Sequence, residues 1–434
     1  MDKTPLTEPD IFRIETLGEC KFDTPVKHAN FTDDEAKILY DRDFSVMKKR
    51  YLEQNKVFAM EKAGPRRKLF HDPAWSKAAI LTAGGLCPGL NDVIKSITLT
   101  LKTQYHVPLV YGIRYGYAGL NPACGHEPII LDEATVDGIH EQGGTILASS
   151  RGAQDSKVML ETLVRMDINM LFCIGGDGTL RAAHDLAMEA KNHGLNISII
   201  GIPKTIDNDI SCMDKTFGFE TAVYATNPII SVAHNEAKGA YNGVGLIHVM
   251  GRDSGFIAAY AALANTHANF CLIPEEKFTM EEGENAFLPR LFARLQRRHH
   301  AVVIVAEGAG QELMSGSREK DKSGNVLHQN IGIYLRDQIK EYSKKTGIEV
   351  SIKYFDPTYT IRGIAANGTD AVFCLLLGQN AVHAAMAGRT DMVVGHWNES
   401  FTHVPIPMAV KERKKIDING SLWRALRMTT ETGY

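Results

Sequence analysis

Hydrophobic residues in this chain fall into short blocks, and from residue 76 onward each block is followed by a glycine-containing turn and then an amphipathic stretch. In "AAILTAGGLCPGLNDVIKSITLTL", residues 78–101, an apolar run gives way to a glycine turn and then to Val93, Ile97 and Leu101 on one helical face. "NMLFCIGGDGTLRAAHDLAMEA" (169–190) repeats the same grammar, and "NISIIGIPKTIDND", "NGVGLIHVMGRDSGF" and "HAVVIVAEGAG" are further strand-then-turn units. Runs that are apolar on both faces and alternate with helices predict parallel sheets covered on both sides. In such sheets functional groups gather at the carboxyl ends of the strands, where these turns fall.

The first 75 residues follow another pattern. "TDDEAKILYDRDFSVMKKRYLEQNKVFAMEKAGP", 32–65, opens on a capping-box spacing, Thr32 with Glu35, and stops at Gly64 and Pro65, which predicts a helix. The segment reads as an extension ahead of a core domain. "MSGSREKDKSGNV", 314–326, predicts a polar loop. "RRHH" at 297–300 and "KERKK" at 411–415 read most simply as solvated helix faces, with phosphate binding as the other reading.

Composition narrows the function classes. The 434 residues are 44% hydrophobic and 23% charged, enough for two or three domains with cores of their own. Lys plus Arg number 48 against 51 Asp plus Glu, a formal charge of −3, so no net positive field draws nucleic acid or an anionic membrane. The seven cysteines are an odd number without a CxxC pair, which favours reduced thiols over a disulfide scaffold or a zinc site. "MDKTPLTEPDIFRIETLG" is acidic and lacks the apolar core of a secretory signal and the look of a transit peptide. No apolar stretch reaches the roughly 18 to 20 residues of a membrane span. A cytoplasmic protein is the expectation.

Three stretches carry candidate chemistry. "GGDGT", 175–179, follows an apolar run and opens a helix, so its backbone N–H groups and the helix dipole suit phosphate. The charge of Asp177 would repel a polyphosphate unless Mg²⁺ stood between them, an ion commonly held by one or two carboxylates plus substrate phosphates. A tight strand-to-helix turn capped by an aspartate would look the same. "TAGGLCPGLN", 82–91, is a second glycine turn that matches neither a Walker loop nor a dinucleotide fingerprint, and Cys87 within it has no neighbouring His to activate it. "PKTIDND", 203–209, is the densest. If the segment is extended, Asp207 and Asp209 point the same way, one able to take a proton from a hydroxyl while the other orients it. Thr205 can donate to a phosphoryl oxygen and Lys204 offers a point charge, whereas an Asx-turn with a helix cap is the plain alternative. Arg252 in "HVMGRDSGFIAA" and Arg362 in "YFDPTYTIRG" suit forked recognition of a phosphomonoester, a surface ion pair being the plainer reading of each alone, and Glu307 closes an apolar run where it can accept sugar hydroxyls or simply cap the next element.

In this order, "TAGGLCPGLN", "YGIRYGYAGL", "SSRGAQD", "GGDGT", "PKTIDND", "DKTFGFETA", "MGRDSGFIAA", "VAEGAG" and "DPTYTIRG" resemble the phosphofructokinase family over roughly residues 76–400. The branch resembled is the long-chain ATP-dependent one of plants and some protists and bacteria. The resemblance implies an α/β protein of two doubly wound parallel-sheet lobes with an active-site cleft between them, plus a helical N-terminal extension. The extension would be 1–75, the nucleotide-binding lobe 76–218 with 361–411, and the sugar-phosphate-binding lobe 219–360 with 412–434. It implies transfer of the γ-phosphoryl of ATP to the 1-hydroxyl of fructose 6-phosphate in glycolysis, with Mg²⁺, in a homo-oligomer of two or four subunits under allosteric control.

Carried over residue by residue, Gly85, Arg151, Gly152, Gly176, Asp177, Gly178 and Thr179 would hold ATP, with Asp177 on the metal. Asp207 would be the base and Asp209 its support, with Thr205 on the transferring phosphoryl and Ile206 beside it. Met250, Gly251, Arg252 and Glu307 would line the sugar site, Arg252 also serving catalysis. Lys353, Tyr359, Thr360, Ile361 and Arg362 would grip the 6-phosphate. Two features depart from the pattern. "YNGVG" stands where many short bacterial members carry an arginine that reaches the neighbouring subunit's sugar phosphate. Lys204 is typical of pyrophosphate-using members, while Gly178 is typical of ATP users, since a carboxylate there would crowd and repel the α-phosphate. ATP is the donor expected, with pyrophosphate as the alternative; a silent regulatory subunit or another GGDGT small-molecule kinase would lack the need for, or the presence of, the remaining motifs.

Overall fold

The computed structural model describes residues 10–27, 29–283, 286–314 and 328–431. The polar loop expected at 314–326 lies outside the described residues apart from Met314. The chain divides into two compact units, one of Met1–Thr205, Ile210–Gly218 and Ile364–Glu412, the other of Ile206–Asp209, Phe219–Gly363 and Arg413–Tyr434. The chain first passes from one to the other between Thr205 and Ile206.

The first unit holds a seven-stranded sheet. Its centre is parallel, with Lys77–Thr82, Met170–Gly175, Ser198–Pro203 and Met392–Trp397 as neighbours and Leu109–Ile113 beside Lys77–Thr82. The edge strands Ser400–Pro405 and Ile129–Ile130 run antiparallel. The central strands are buried along nearly their whole length, which explains their unbroken apolar runs. Alternate residues serve opposite faces: Leu81, Leu171, Cys173 and Ile199 join the core under the helices Ser156–Arg165 and Asp177–Asn192. On the other side Leu90–Leu99 packs with Gly368–Met386.

The second unit is built on four parallel strands in the order Phe270–Leu272, His300–Ala306, Gly243–Val249, Ser351–Phe355. Period-two alternation again divides the side chains. Ile247, Val249, Val302, Ile304 and Ala306 enter one core, with Phe219, Ile257 and Trp423 from the covering helices. Val244, Leu246, Val303 and Val305 enter another, with Leu291, Leu295 and Leu335.

The extension departs from the expected helix. The helix is confined to Phe44–Gln54, where Asp43 accepts from the N–H groups of Ser45 and Val46, and it stops at Asn55 in the left-handed region. Lys37–Leu39 instead pairs antiparallel with Ala59–Glu61, Phe22–Asp23 with Lys68–Leu69, and Glu15–Thr16 with Arg389–Thr390. Thr32 does not cap: its hydroxyl donates to the Ala63 carbonyl. The extended course is favoured because it sinks Met60 fully into the core and sets Glu61 against Arg66, Arg389 and His403.

Candidate active site

Each glycine turn of the first unit ends a central strand. After Lys77–Thr82 the chain turns through Gly84 (φ 87°) and Gly85 to Gly89 (φ 97°), which begins the next helix. A Cβ on Gly89 would stand 2.6 Å from the Cys374 sulfur, so only glycine fits there. The segment 149–150 is tied to this turn, Ser149 donating to the Gly84 carbonyl and the Gly84 N–H to that of Ser150. Arg151 and Gly152 follow on the surface.

After Met170–Gly175, Gly176 is the N-cap and Asp177 the first residue of a helix of 16 residues. Thr179 is buried against Gly175, and the Tyr117 hydroxyl donates to its carbonyl. The Cβ direction of Gly178 meets nothing within 4 Å, leaving space ahead of the helix N-terminus. Asp177 lies 3.5 Å from Arg181 one turn on. Among the described residues no group of three or more His, Cys, Asp or Glu side chains could hold a metal ion. Asp177, at the head of this helix and outside any such group, therefore fits an ion such as Mg²⁺ completed by substrate phosphates, and does not fit an all-protein cage.

The third turn follows Ser198–Pro203. Lys204 is buried, and its ammonium donates to the Gly85 carbonyl at 2.7 Å, tying the start of "PKTIDND" to the first glycine turn of this unit. Thr205 gives its carbonyl to the Thr216 hydroxyl. The next residues do not run extended, as the expectation for Asp207 and Asp209 assumed. Ile206 and Asp207 form a turn and Asn208 is left-handed at φ 55°, a conformation asparagine tolerates. The two carboxylates accordingly find separate partners in the second unit. Asp207 Oδ2 accepts from the Arg252 N–H at 3.3 Å and its carbonyl from the Ser254 hydroxyl. Asp209 Oδ2 accepts from Arg413 at 2.9 Å.

Burial and the charge of Asp209 push the Asp207 carboxyl up to about 7; the Arg252 N–H opposes the rise, Glu307 adds to it, and Arg413 opposes it. Near neutrality Asp207 therefore exists as both acid and base.

The "KERKK" segment keeps part of its surface reading, with Lys411, Glu412 and Lys415 exposed, but it is not helical: the preceding helix ends at Ala409, and the Lys414 N–H lies on the Asp209 carbonyl with the Lys414 ammonium on Asn208 Oδ1. Glu275 fixes its continuation by accepting from the N–H groups of Ile416 and Gly255. A run of five mostly basic residues gives no local sign of a partner two hundred positions earlier. "RRHH" agrees better with its expectation: Arg297, Arg298 and His299 are exposed at the end of Phe287–Arg298.

At the end of Gly243–Val249, Met250 is buried and Gly251 adopts φ 126°, where a Cβ would lie 2.5 Å from the Ser254 carbonyl. Gly308 packs on the Arg252 carbonyl and donates its N–H to that of Gly251, bringing Glu307 alongside. His328, which the sequence did not single out, stands 4.0 Å from Glu307. Gln311 holds it there by donating to the carbonyls of Glu307 and Gln329.

After Ser351–Phe355 the short helix Thr358–Arg362 exposes Tyr359 and Thr360, with the Arg362 guanidinium 4.4 Å from the Tyr359 ring centroid. Ile361 faces inward and belongs to the core, as does the partly buried Ile206. Lys353, exposed on the strand before this helix, stands 3.9 Å from Glu236.

Parallel α/β units of this class gather their functional groups at the carboxyl ends of the strands, where these turns lie. The chain matches the phosphofructokinase family over residues 77–385. It is 46% identical over 434 residues to the ATP-dependent 6-phosphofructokinase of Borreliella burgdorferi, covering 96% of both chains. With that of Entamoeba histolytica it shares 41% over 428 residues, 97% of this chain and 95% of the relative. The solved structure of pyrophosphate-dependent phosphofructokinase from Marinobacter aquaeolei superposes with a TM-score of 0.66 over 81% of this chain and 91% of that one, at 20% identity, a likeness of fold. The chain belongs to the phosphofructokinase family.

Proposed function

We propose that the chain is an ATP-dependent 6-phosphofructokinase. It moves the γ-phosphoryl of ATP to the 1-hydroxyl of fructose 6-phosphate, giving ADP and fructose 1,6-bisphosphate. The observation that carries the mechanism is the placement of Asp207, whose carboxylate accepts from the Arg252 N–H at 3.3 Å with Oδ1 shielded from solvent, a setting in which burial and Asp209 push its pKa up to about 7. A general base works best when its pKa lies near the working pH. As the new O–P bond forms and the bond to ADP breaks, the 1-hydroxyl proton passes to an Asp207 oxygen. Asp209, held by Arg413, tunes that oxygen's basicity and keeps the turn in place. Thr205 contacts the transferring group, while Arg252, Met250, Gly251 and Glu307 orient the sugar. Tyr359, Thr360 and Arg362 hold the 6-phosphate, with Ile361 anchoring their helix in the core.

The nucleotide phosphates lie along the Gly85 and Gly176–Thr179 turns, with Arg151 and Gly152 beside them. Asp177 would hold Mg²⁺, which when bound neutralises charge on the phosphoryl oxygens. Lys204 supports the Gly85 turn, a duty equally compatible with either donor, so Gly178 and the ATP-dependent relatives decide for ATP. The same reading takes in a cytoplasmic location and an allosterically controlled homo-oligomer of two or four subunits. Among the described residues no helix is long and apolar enough to cross a membrane.

Initial rates with fructose 6-phosphate and either MgATP or magnesium pyrophosphate test the donor. Turnover is expected with ATP; appreciable turnover with pyrophosphate and none with ATP would overturn it.

A further inference from the structure

The parallel register between Gly243–Val249 and Ser351–Phe355 pairs Ile247 with Phe355, and so brings His248 alongside Asp356 just past the strand end. His248 is buried, with Nδ1 3.2 Å from Asp356 Oδ2. An ionised carboxylate accepts here, so Nδ1 carries the proton. Its other ring nitrogen, Nε2, is shielded from solvent and has no hydrogen-bond partner among the described residues. An imidazole that leaves one nitrogen unsatisfied to keep the other on Asp356 is committed to that bond.

Asp356 divides its two oxygens. Oδ1 accepts from the Thr358 hydroxyl at 2.7 Å and the Thr358 N–H at 3.3 Å, which tethers the first turn of the helix Thr358–Arg362. Oδ2 faces His248 and, at 3.3 Å, the Tyr354 hydroxyl, which also lies 3.2 Å from Asn330 Oδ1. Asn330 caps the helix Ile331–Thr346 two residues after His328. Burial works against this carboxylate, yet the bonds from Thr358 and His248 hold its pKa below the ordinary value. His248 itself lies two residues before Met250, on the strand Gly243–Val249 that leads into Met250, Gly251 and Arg252. One bond therefore links the strand carrying the proposed sugar contacts to the helix carrying the proposed 6-phosphate contacts.

We propose that His248 is a positioning residue: acting through Asp356, it sets where Tyr359 and Arg362 stand relative to Met250, Gly251 and Arg252, and so the affinity for the sugar phosphate. The inference rests on the reading of Tyr359 and Arg362 as the 6-phosphate grip. Neither residue of the pair is among the proposed substrate contacts, so the chemical step is expected to stay unchanged.

The test is steady-state kinetics of the full-length enzyme, with Arg362→Ala as control. His248→Leu removes the donor at similar volume and is expected to raise KM for fructose 6-phosphate about tenfold, the worth of a hydrogen bond to a charged group, with kcat and KM for ATP unchanged. His248→Asn, whose amide N–H can stand near the Nδ1 position, is expected to restore KM to within about threefold of wild type. Adding Asp356→Asn to His248→Leu should raise KM less than Asp356→Asn does in the wild type, because the two act through one bond. A His248→Leu enzyme with wild-type KM for the sugar, or one in which both KM values and kcat change together, overturns the proposal. If His248→Leu does not fold, Thr358→Val reads the helix end of the same network and must show the same selective KM rise. An Arg362→Ala enzyme with unchanged KM sinks the 6-phosphate reading and this inference with it; a raised KM there beside an unchanged one in His248→Leu sinks the inference alone.

Discussion

Replacing Asp209 with asparagine tests whether Asp207 is the base and whether its neighbour sets its basicity. Activity through a carboxylate base rises with pH as the base ionises, so kcat/KM for fructose 6-phosphate should show an ascending limb with a midpoint near the Asp207 value of about 7. Asp209 is two residues away, and taking roughly 7 Å between the charges gives an interaction of about 2.4 kcal/mol at an effective dielectric of 20. Arg413, ion-paired to Asp209, offsets part of this, and about one pH unit, or ~1.4 kcal/mol, is the shift expected. The sign follows from charge: without the neighbouring anion the Asp207 carboxylate forms more easily, and the limb moves to lower pH. Arg413 works the other way, because it holds Asp207's pKa down. Arg413→Gln should move the limb upward. The assay is initial rate against fructose 6-phosphate at saturating MgATP from about pH 5.5 to about pH 8.5. A limb that stays put in Asp209→Asn, or that moves in the same direction in both variants, refutes the reasoning.

Asp207→Ala should cost at least about a hundredfold in kcat while fructose 6-phosphate still binds, as isothermal titration would read. Gly178→Asp fits the fold, since no atom lies within 4 Å of a Cβ there, so its melting temperature should match wild type while KM for ATP rises at least about tenfold. Glu61→Gln should cost about 2 kcal/mol of stability by thermal unfolding. Burial raises the Glu61 carboxyl's pKa, but the hydrogen bond from His403 and the charges of Arg389 and Arg66 lower it from 4.5 to about 2 overall. His403 is fully buried, which pushes its imidazole below its usual range, so near neutrality the ionic share comes from the two arginines. Because the folded pKa is the depressed one, this stability is present above about pH 4.5 and should be lost as pH falls toward about 2. Lys204→Met, which leaves the Gly85 carbonyl without its 2.7 Å donor, should lower the melting temperature and slow turnover with ATP.

Much of the fold was legible because strands buried on both faces must be apolar throughout. Lys77–Thr82, Met170–Gly175 and Ser198–Pro203 announce themselves this way, and each of the three is followed by its glycine turn or acidic cluster. The same local reading failed for 32–65, where capping residues and helix formers promised a helix longer than Phe44–Gln54. There the decisive term is pairing between Lys37–Leu39 and Ala59–Glu61, and burial of Met60, neither of which a window of neighbours contains.

The candidate chemistry divides along the same line. Residue types and spacing alone marked "GGDGT" and "PKTIDND" and offered Arg252 and Arg362 as phosphate candidates, because phosphate, metal and proton transfer demand glycine turns, carboxylates and guanidinium groups at strand ends, while Met250, Gly251, Tyr359 and Thr360 came with the family resemblance. Which group touches which was decided only by the tertiary structure. Lys204 lies 119 residues from Gly85, Arg413 lies 204 from Asp209, and His248 lies 108 from Asp356. A left-handed Asn208 turns Asp207 and Asp209 to different partners where an extended strand would have aligned them. Sequence determines such local preferences because they cost or gain free energy within a few residues. The partners of a side chain, and so its pKa and its duty, depend on sheet register and packing, which exist only once distant segments have met.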